Sequence, residues 1–175
     1  MNSLTRRLSA AAVALTVTAV LWSAGPAHAQ EPARLVPPLA LLDRTGKAVR
    51  LDTFRGRVVL LDFWATWCIP CRVSLPAYDD MLRRYQMRGF EVLAVNVGET
   101  RAKVDAYFKD REPLIRVLMD PKGATAITFK VRALPTSLII DRDGYIRYTI
   151  VGFEDGAIPA YHEQIQLLLD EPPSD

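Results

Sequence analysis

Apolar and polar positions follow two rhythms along this chain. Residues 58–65 read Val-Val-Leu-Leu-Asp-Phe-Trp-Ala, an apolar run broken only by Asp62, which is the pattern of a strand buried on both faces. Residues 90–97 repeat it as a second buried strand. Between them Leu75, Tyr78, Leu82 and Tyr85 recur at helical spacing, with Asp79, Asp80, Arg83 and Arg84 assigned to the opposite face, until Gly89 ends the helix. Pro76 is expected to kink it.

The remaining elements are shorter. Residues 39–42 and 47–51, joined by Asp43-Arg44-Thr45-Gly46, predict a small N-terminal hairpin, followed by a turn through Phe54-Arg55-Gly56. Val104, Tyr107 and Phe108 mark a short helix, residues 115–119 a strand, and Asp120-Pro121-Lys122-Gly123 a turn into another short helix ending near Lys130. Residues 136–140 and 145–151, split by Asp141-Arg142-Asp143-Gly144, predict a terminal hairpin, and Ile158, Tyr161, Ile165 and Leu168 line a last helix. Alternating strands and helices closed by an antiparallel hairpin imply a three-layer α/β sandwich around a mixed sheet. No internal repeat interrupts this order, and residues 171–175 read as a frayed tail.

The first 29 residues stand apart. Arg6-Arg7 precede an apolar stretch at 8–21 that contains Ser9, Thr16 and Thr18, and Ala27-His28-Ala29 supplies a small-x-small cleavage pattern. An export signal at residues 1–29, cleaved after Ala29, is the expectation, with residues 30–175 as one domain whose core spans about 36–170. An uncleaved anchor is the alternative, but a span needs about 20 apolar residues. The leader holds no Cys for lipid attachment, and a bare Arg pair is weak evidence for twin-arginine export. Arg6 and Arg7 are the leader's only cations and it has no acid, so the exported chain balances 20 basic against 20 acidic side chains. Charge gives no support to nucleic-acid binding or to an anionic-membrane patch.

The chemistry lies in Trp67-Cys68-Ile69-Pro70-Cys71, directly behind the first buried strand, which holds the only two cysteines of the chain. A two-residue gap at the start of a helix brings both sulfurs within disulfide reach. Cys68 at the helix N-terminus meets unpaired N–H groups and the positive end of the dipole, which favour thiolate, so it is read as the attacking sulfur and Cys71 as the buried resolving thiol. Pro70 is harmless in a first turn, where no N–H is needed. A structural zinc site usually needs four ligands, whereas two Cys and His162 are all that the exported chain offers. A structural disulfide closing so small a loop would constrain the unfolded chain little. Two soft thiolates also suit Cu(I), so a copper-binding module is a competing reading, although Pro70 and Trp67 stiffen the loop.

These motifs, taken in order, resemble the thioredoxin superfamily. Asp62-Phe63-Trp64-Ala65 before Trp67-Cys68, Pro76 five residues after Cys71, Leu134-Pro135-Thr136 before a strand and Val151-Gly152 at the end of the last strand match its pattern. The N-terminal hairpin, the extra helix-strand insert at 99–119 and the segment Ala94-Val95-Asn96-Val97-Gly98-Glu99 are similar to the TlpA/ResA-like branch of extracytoplasmic thiol-disulfide oxidoreductases. The resemblance implies a thioredoxin-like α/β/α fold and a Cys68-Cys71 redox disulfide with no bound cofactor and no metal. It also implies a cis Pro135 packed against the pair, and a Leu134 backbone that pairs with extended substrates. Trp67 is expected to flank Cys68 as part of an apolar docking surface. Asp62 matches the buried aspartate of thioredoxin and Glu99 the buried glutamate of ResA. Either acid could exchange protons with Cys71 if burial raised its pKa. Ile69 departs from the acidic residue that ResA-like proteins often carry there.

The resemblance points to a specialised periplasmic reductant. Its implied partners are protein substrates with paired cysteines, such as apocytochrome c, a copper-site protein or a metallochaperone, and a membrane thiol carrier of the DsbD or CcdA kind. A disulfide-forming oxidant of the same fold, which usually carries a large helical insertion, and a peroxidase are competing readings. His162 is expected on the surface, where it has no part in the chemistry.

Overall fold

The computed structural model describes residues 34–172, so the leader and its cleavage site lie outside the described residues. One eight-stranded mixed sheet organises the molecule. Its strands are β1 (Arg34–Leu35), β2 (Ala40–Asp43), β3 (Ala48–Arg50), β4 (Val58–Trp64), β5 (Phe90–Val97), β6 (Arg116–Asp120), β7 (Thr136–Ile140) and β8 (Tyr145–Val151). Their order is β1-β8-β7-β4-β5-β6-β2-β3. The central β4, β5 and β6 run parallel, whereas β7, β8 and β1 on one side and β2 and β3 on the other pair antiparallel. Among the described residues four α-helices complete the three-layer arrangement that the sequence predicts: α1 (Ile69–Tyr85), α2 (Arg101–Tyr107), α3 (Ala124–Thr128) and α4 (Ile158–Asp170).

The period of two along β4 builds two cores. Val58, Leu60 and Trp64 face one side with Leu75, Tyr78 and Met81 of α1, Val104 of α2 and Tyr161 and Ile165 of α4. Val59, Leu61 and Phe63 face the other side with Val36, Leu39, Val49, Leu51 and, around α3, Ala126 and Phe129. All seven residues of β4 are buried, as its unbroken apolar run requires.

Helix α1 starts where the spacing puts it. Cys68 is its N-cap rather than its first helical residue, Pro70 sits in the first turn, Arg83 and Arg84 occupy the last turn, and Gly89 takes a φ of 87° just beyond. The helix continues through Pro76 to Tyr85.

Three expectations need correction, and one strand went unpredicted. Asp79, assigned to the polar face, is buried: its Oδ1 accepts the N–H groups of Leu114 and Ile115, both at 2.9 Å, and Arg111 pairs with Oδ2 at 3.3 Å. It anchors α1 to the segment entering β6. Strand β1, two residues long, lies below what periodicity can resolve and exists through pairing with β8. Glu171 is not frayed, because Arg147 grips both of its oxygens at 2.8 and 3.0 Å. His162 is half-buried, and its Nδ1 hydrogen-bonds the Tyr85 hydroxyl at 2.9 Å.

Replacing Asp79 with Ala strips the acceptor from a buried N–H, which is expected to cost about 2–3 kcal/mol of stability. Asp79→Asn, which keeps an acceptor, should lose less; urea unfolding measures both.

Candidate active site

The end of β4 and the start of α1 create the site. The chain turns tightly after Ala65, whose carbonyl accepts the Cys68 N–H at 3.1 Å, and the Cys71 N–H donates to Cys68 Sγ at 3.3 Å. Cys68 and Cys71 form a disulfide with Cα atoms 5.3 Å apart. Cys71 is fully enclosed and Cys68 is 4 % exposed, so the order of accessibility agrees with their position at the helix start, although the oxidised Cys68 shows little surface. The rim around them is apolar: Trp67 is 63 % and Ile69 76 % exposed, and Val73, one turn further along α1, is also exposed. Side chains four apart share a helix face, so Ile69 and Val73 extend the patch from Trp67 along α1.

The neighbouring strand β7 delivers the proline. The β4–β7 register pairs Phe63 with Thr136, which sets Leu134 and Pro135 beyond the carboxyl end of β4, where the cysteine turn begins. The Leu134-Pro135 peptide is cis. Leu134 packs against the core cluster that contains both cysteines, and the Pro135 carbonyl accepts the Gly152 N–H at 2.8 Å, which explains why Val151-Gly152 accompanies the proline.

Asp62 lies between Leu60 and Trp64 on the face of β4 that packs against α1. It has no solvent exposure. Burial pushes its carboxyl up to about 8, against the nearby Ser137 and Tyr78 hydroxyls, which favour the charged form. Ser137, its cross-strand partner, donates to Oδ1 at 2.7 Å. Tyr78 Oη is 2.8 Å from Ser137 Oγ, and Tyr161 donates to the same oxygen at 3.1 Å. Asp62 Oδ2 is buried without a hydrogen-bond partner.

Glu99 behaves oppositely. It is also buried, which would raise its pKa, but Asn96, Lys103 and Thr66 more than offset this and hold the carboxyl down at about 2. Oε2 accepts the Thr66 N–H at 2.7 Å and Asn96 Nδ2 at 2.8 Å, while Oε1 accepts Thr66 Oγ1 at 2.7 Å and Lys103 Nζ at 2.6 Å. Of the two acids, only Asp62 has a raised pKa. Glu99 straps the residue two before Cys68 to the end of β5.

Sequence reading missed six side chains of this site: Thr66, Asn96 and Lys103 around Glu99, and Ser137, Tyr78 and Tyr161 around Asp62. Lys103 lies four residues after Glu99, a spacing that signals a helical ion pair. The cluster around Asp62 gathers residues up to 99 positions apart and leaves no local signal. His162 contacts Tyr85 at the far end of α1, about 25 Å along the helix from Cys68. Among the described residues no cluster of three or more His, Cys, Asp or Glu is placed to hold a metal ion.

A family model described as AhpC/TSA family matches residues 32–149. The thiol-disulfide oxidoreductase ResA of Geobacillus thermodenitrificans is 34% identical over 116 residues, covering 66% of this chain and 67% of that protein. ResA of Bacillus subtilis is 31% identical over 116 residues, covering 66% and 65%. Among solved structures, a protein from Chlorobium tepidum described as thiol:disulfide interchange protein DsbE superposes with a TM-score of 0.76 at 36% identity, covering 80% of this chain and 99% of that one. The exposed lipoprotein thioredoxin Etrx1 of Streptococcus pneumoniae gives 0.66 at 30% identity, covering 75% and 100%.

The two acids give opposite pH signatures. Between the ordinary 3.8 of an aspartate and about 8, the folded protein holds a proton on Asp62 that the unfolded chain has lost, so this residue lowers stability as pH rises. Asp62→Asn should abolish that slope. Glu99 stabilises fully above the ordinary 4.5 and loses this contribution as pH falls towards about 2, so Glu99→Gln should flatten the acid side. Urea unfolding of the oxidised protein across this pH range checks both.

Proposed function

The chain belongs to the AhpC/TSA family and is a thiol-disulfide oxidoreductase, and from that premise we propose that it is a specialised reductant of protein disulfides outside the cytoplasm. The observation that carries the reading is the Cys68-Cys71 pair capping α1 beneath an exposed apolar rim, with one buried, proton-holding acid on the strand that leads to it. The segment between β5 and β6 holds only the seven-residue α2, which argues against a disulfide-forming oxidant with a large helical insertion.

Cys68 thiolate attacks a substrate disulfide, a mixed disulfide forms, and the first substrate sulfur leaves as a thiolate that takes a proton from solvent. In molecules whose Asp62 is ionised, Cys71 gives its proton to that carboxylate and attacks Cys68 Sγ. The second substrate thiolate leaves, and the protein ends as the Cys68-Cys71 disulfide with Asp62 protonated, a state that its raised pKa favours. Glu99, ionised and saturated with donors, holds the Thr66 turn rather than relaying protons. Trp67, Ile69 and Val73 receive an apolar segment of the substrate, and the Leu134 backbone aligns it as an added strand.

Export follows from the leader at residues 1–29, with cleavage after Ala29. Suitable substrates present paired cysteines: apocytochrome c, a copper-site protein or its metallochaperone. A membrane dithiol carrier of the DsbD or CcdA kind returns the two electrons.

With Cys71 replaced by Ser the resolving step is lost, so the mixed disulfide on Cys68 should persist and be isolable. Expected captives are few, a haem- or copper-site protein and a membrane thiol carrier, and the pair should have a potential well below the roughly −120 mV of a strong periplasmic oxidant. A broad spread of captured exported proteins, or a potential near that oxidant's, overturns the reductant reading. Tight stoichiometric Cu(I) binding without disulfide exchange would point to a copper carrier.

A further inference from the structure

The hydroxyl cluster behind Asp62 restricts where its proton can sit. Ser137 Oγ has one hydrogen and two lone pairs. Tyr161 donates to it at 3.1 Å and Tyr78 Oη lies 2.8 Å away, with the two phenols 3.3 Å apart. Tyr78 donates to Tyr161, Tyr161 donates to Ser137, and the Ser137 hydrogen points at Asp62 Oδ1, 2.7 Å away. A proton on Oδ1 would then face another O–H instead of an acceptor. Oδ2, buried and without a partner, is the oxygen left to carry it.

We propose that Ser137, oriented by Tyr78 and Tyr161, is a positioning residue that keeps the exchangeable proton of Asp62 on Oδ2. The proposal rests on the relay reading of Asp62. The groups facing this carboxyl are the Tyr78 phenol of α1, the Tyr161 phenol of α4, the neutral Ser137 of β7 and, across the ladder in β5, Ala94. None is charged while the phenols stay protonated, and burial raises both phenols above their ordinary value. The carboxyl therefore exchanges its proton through one oxygen in one orientation, without a permanent counter-charge to trap it as a carboxylate.

The test follows release of the second substrate thiol from a preformed mixed disulfide by stopped flow across pH, together with a carbon-13 titration of the Asp62 carboxyl. Removing the Ser137 donor disfavours the carboxylate, so Ser137→Ala should move both midpoints up by about one pH unit. Tyr161→Phe keeps the shape of the core but frees a lone pair on Ser137, and should move them the same way by less. Ser137→Thr, which keeps the hydroxyl, should restore the parent profile. If Ser137→Ala and Tyr161→Phe leave both midpoints unchanged while Asp62→Asn removes the pH-dependent limb, the positioning role is overturned and the relay stands. If Asp62→Asn leaves the limb in place, the relay reading falls and takes the proposal with it.

Discussion

Strand β4 is hydrogen-bonded along both edges and buried on both faces, and the rest of the site depends on that confinement. A strand so enclosed can expose chemistry only where it ends. Its carboxyl end runs into Cys68, the parallel β5 brings Asn96 and Glu99 to the same edge of the sheet, and the antiparallel β7 starts there behind Pro135. Three segments distant in sequence thus converge because their strands share one register. Trp67, Ile69 and Val73 are left as an exposed apolar surface at this edge.

The same confinement decides the fate of the two acids. Asp62 is inside the strand, where the nearest donors are neutral hydroxyls, so desolvation wins and the acid stays protonated near neutrality. Glu99 lies just past the end of β5, where a backbone N–H, a hydroxyl, an amide and an ammonium can all reach it, so the ionised form wins although the side chain is equally hidden. Burial alone does not predict the direction of a pKa shift. The supply of donors does.

Legibility followed the range of the interactions involved. The long buried strands, α1 and the dithiol could be read because each is a local pattern of period two or 3.6, or a fixed spacing of two cysteines. Asp62 stood out because a carboxyl interrupts an apolar run. Its partners did not, since Tyr78, Ser137 and Tyr161 meet it only through the packing of α1, β7 and α4. The matched position of Glu99 could be read but its donors could not, because Thr66, which supplies two of the four, lies 33 residues earlier. Asp79 and His162 were misplaced for a related reason: a polar residue on a helix reads as exposed unless the segment that covers it is known.

The proposed division of labour between the acids would let the site be both rigid and reactive. A group that exchanges a proton must hold it weakly enough to release it, which means leaving some hydrogen-bonding capacity unused, and Asp62 Oδ2 is such an atom. An unused buried oxygen costs stability and anchors nothing. The turn before Cys68 therefore needs an anchor from elsewhere, and Glu99 provides it with every donor satisfied. Uniting the two roles in one carboxyl would force a compromise, since each donor added to fix the turn would lower the pKa of the acid proposed to take the proton from Cys71.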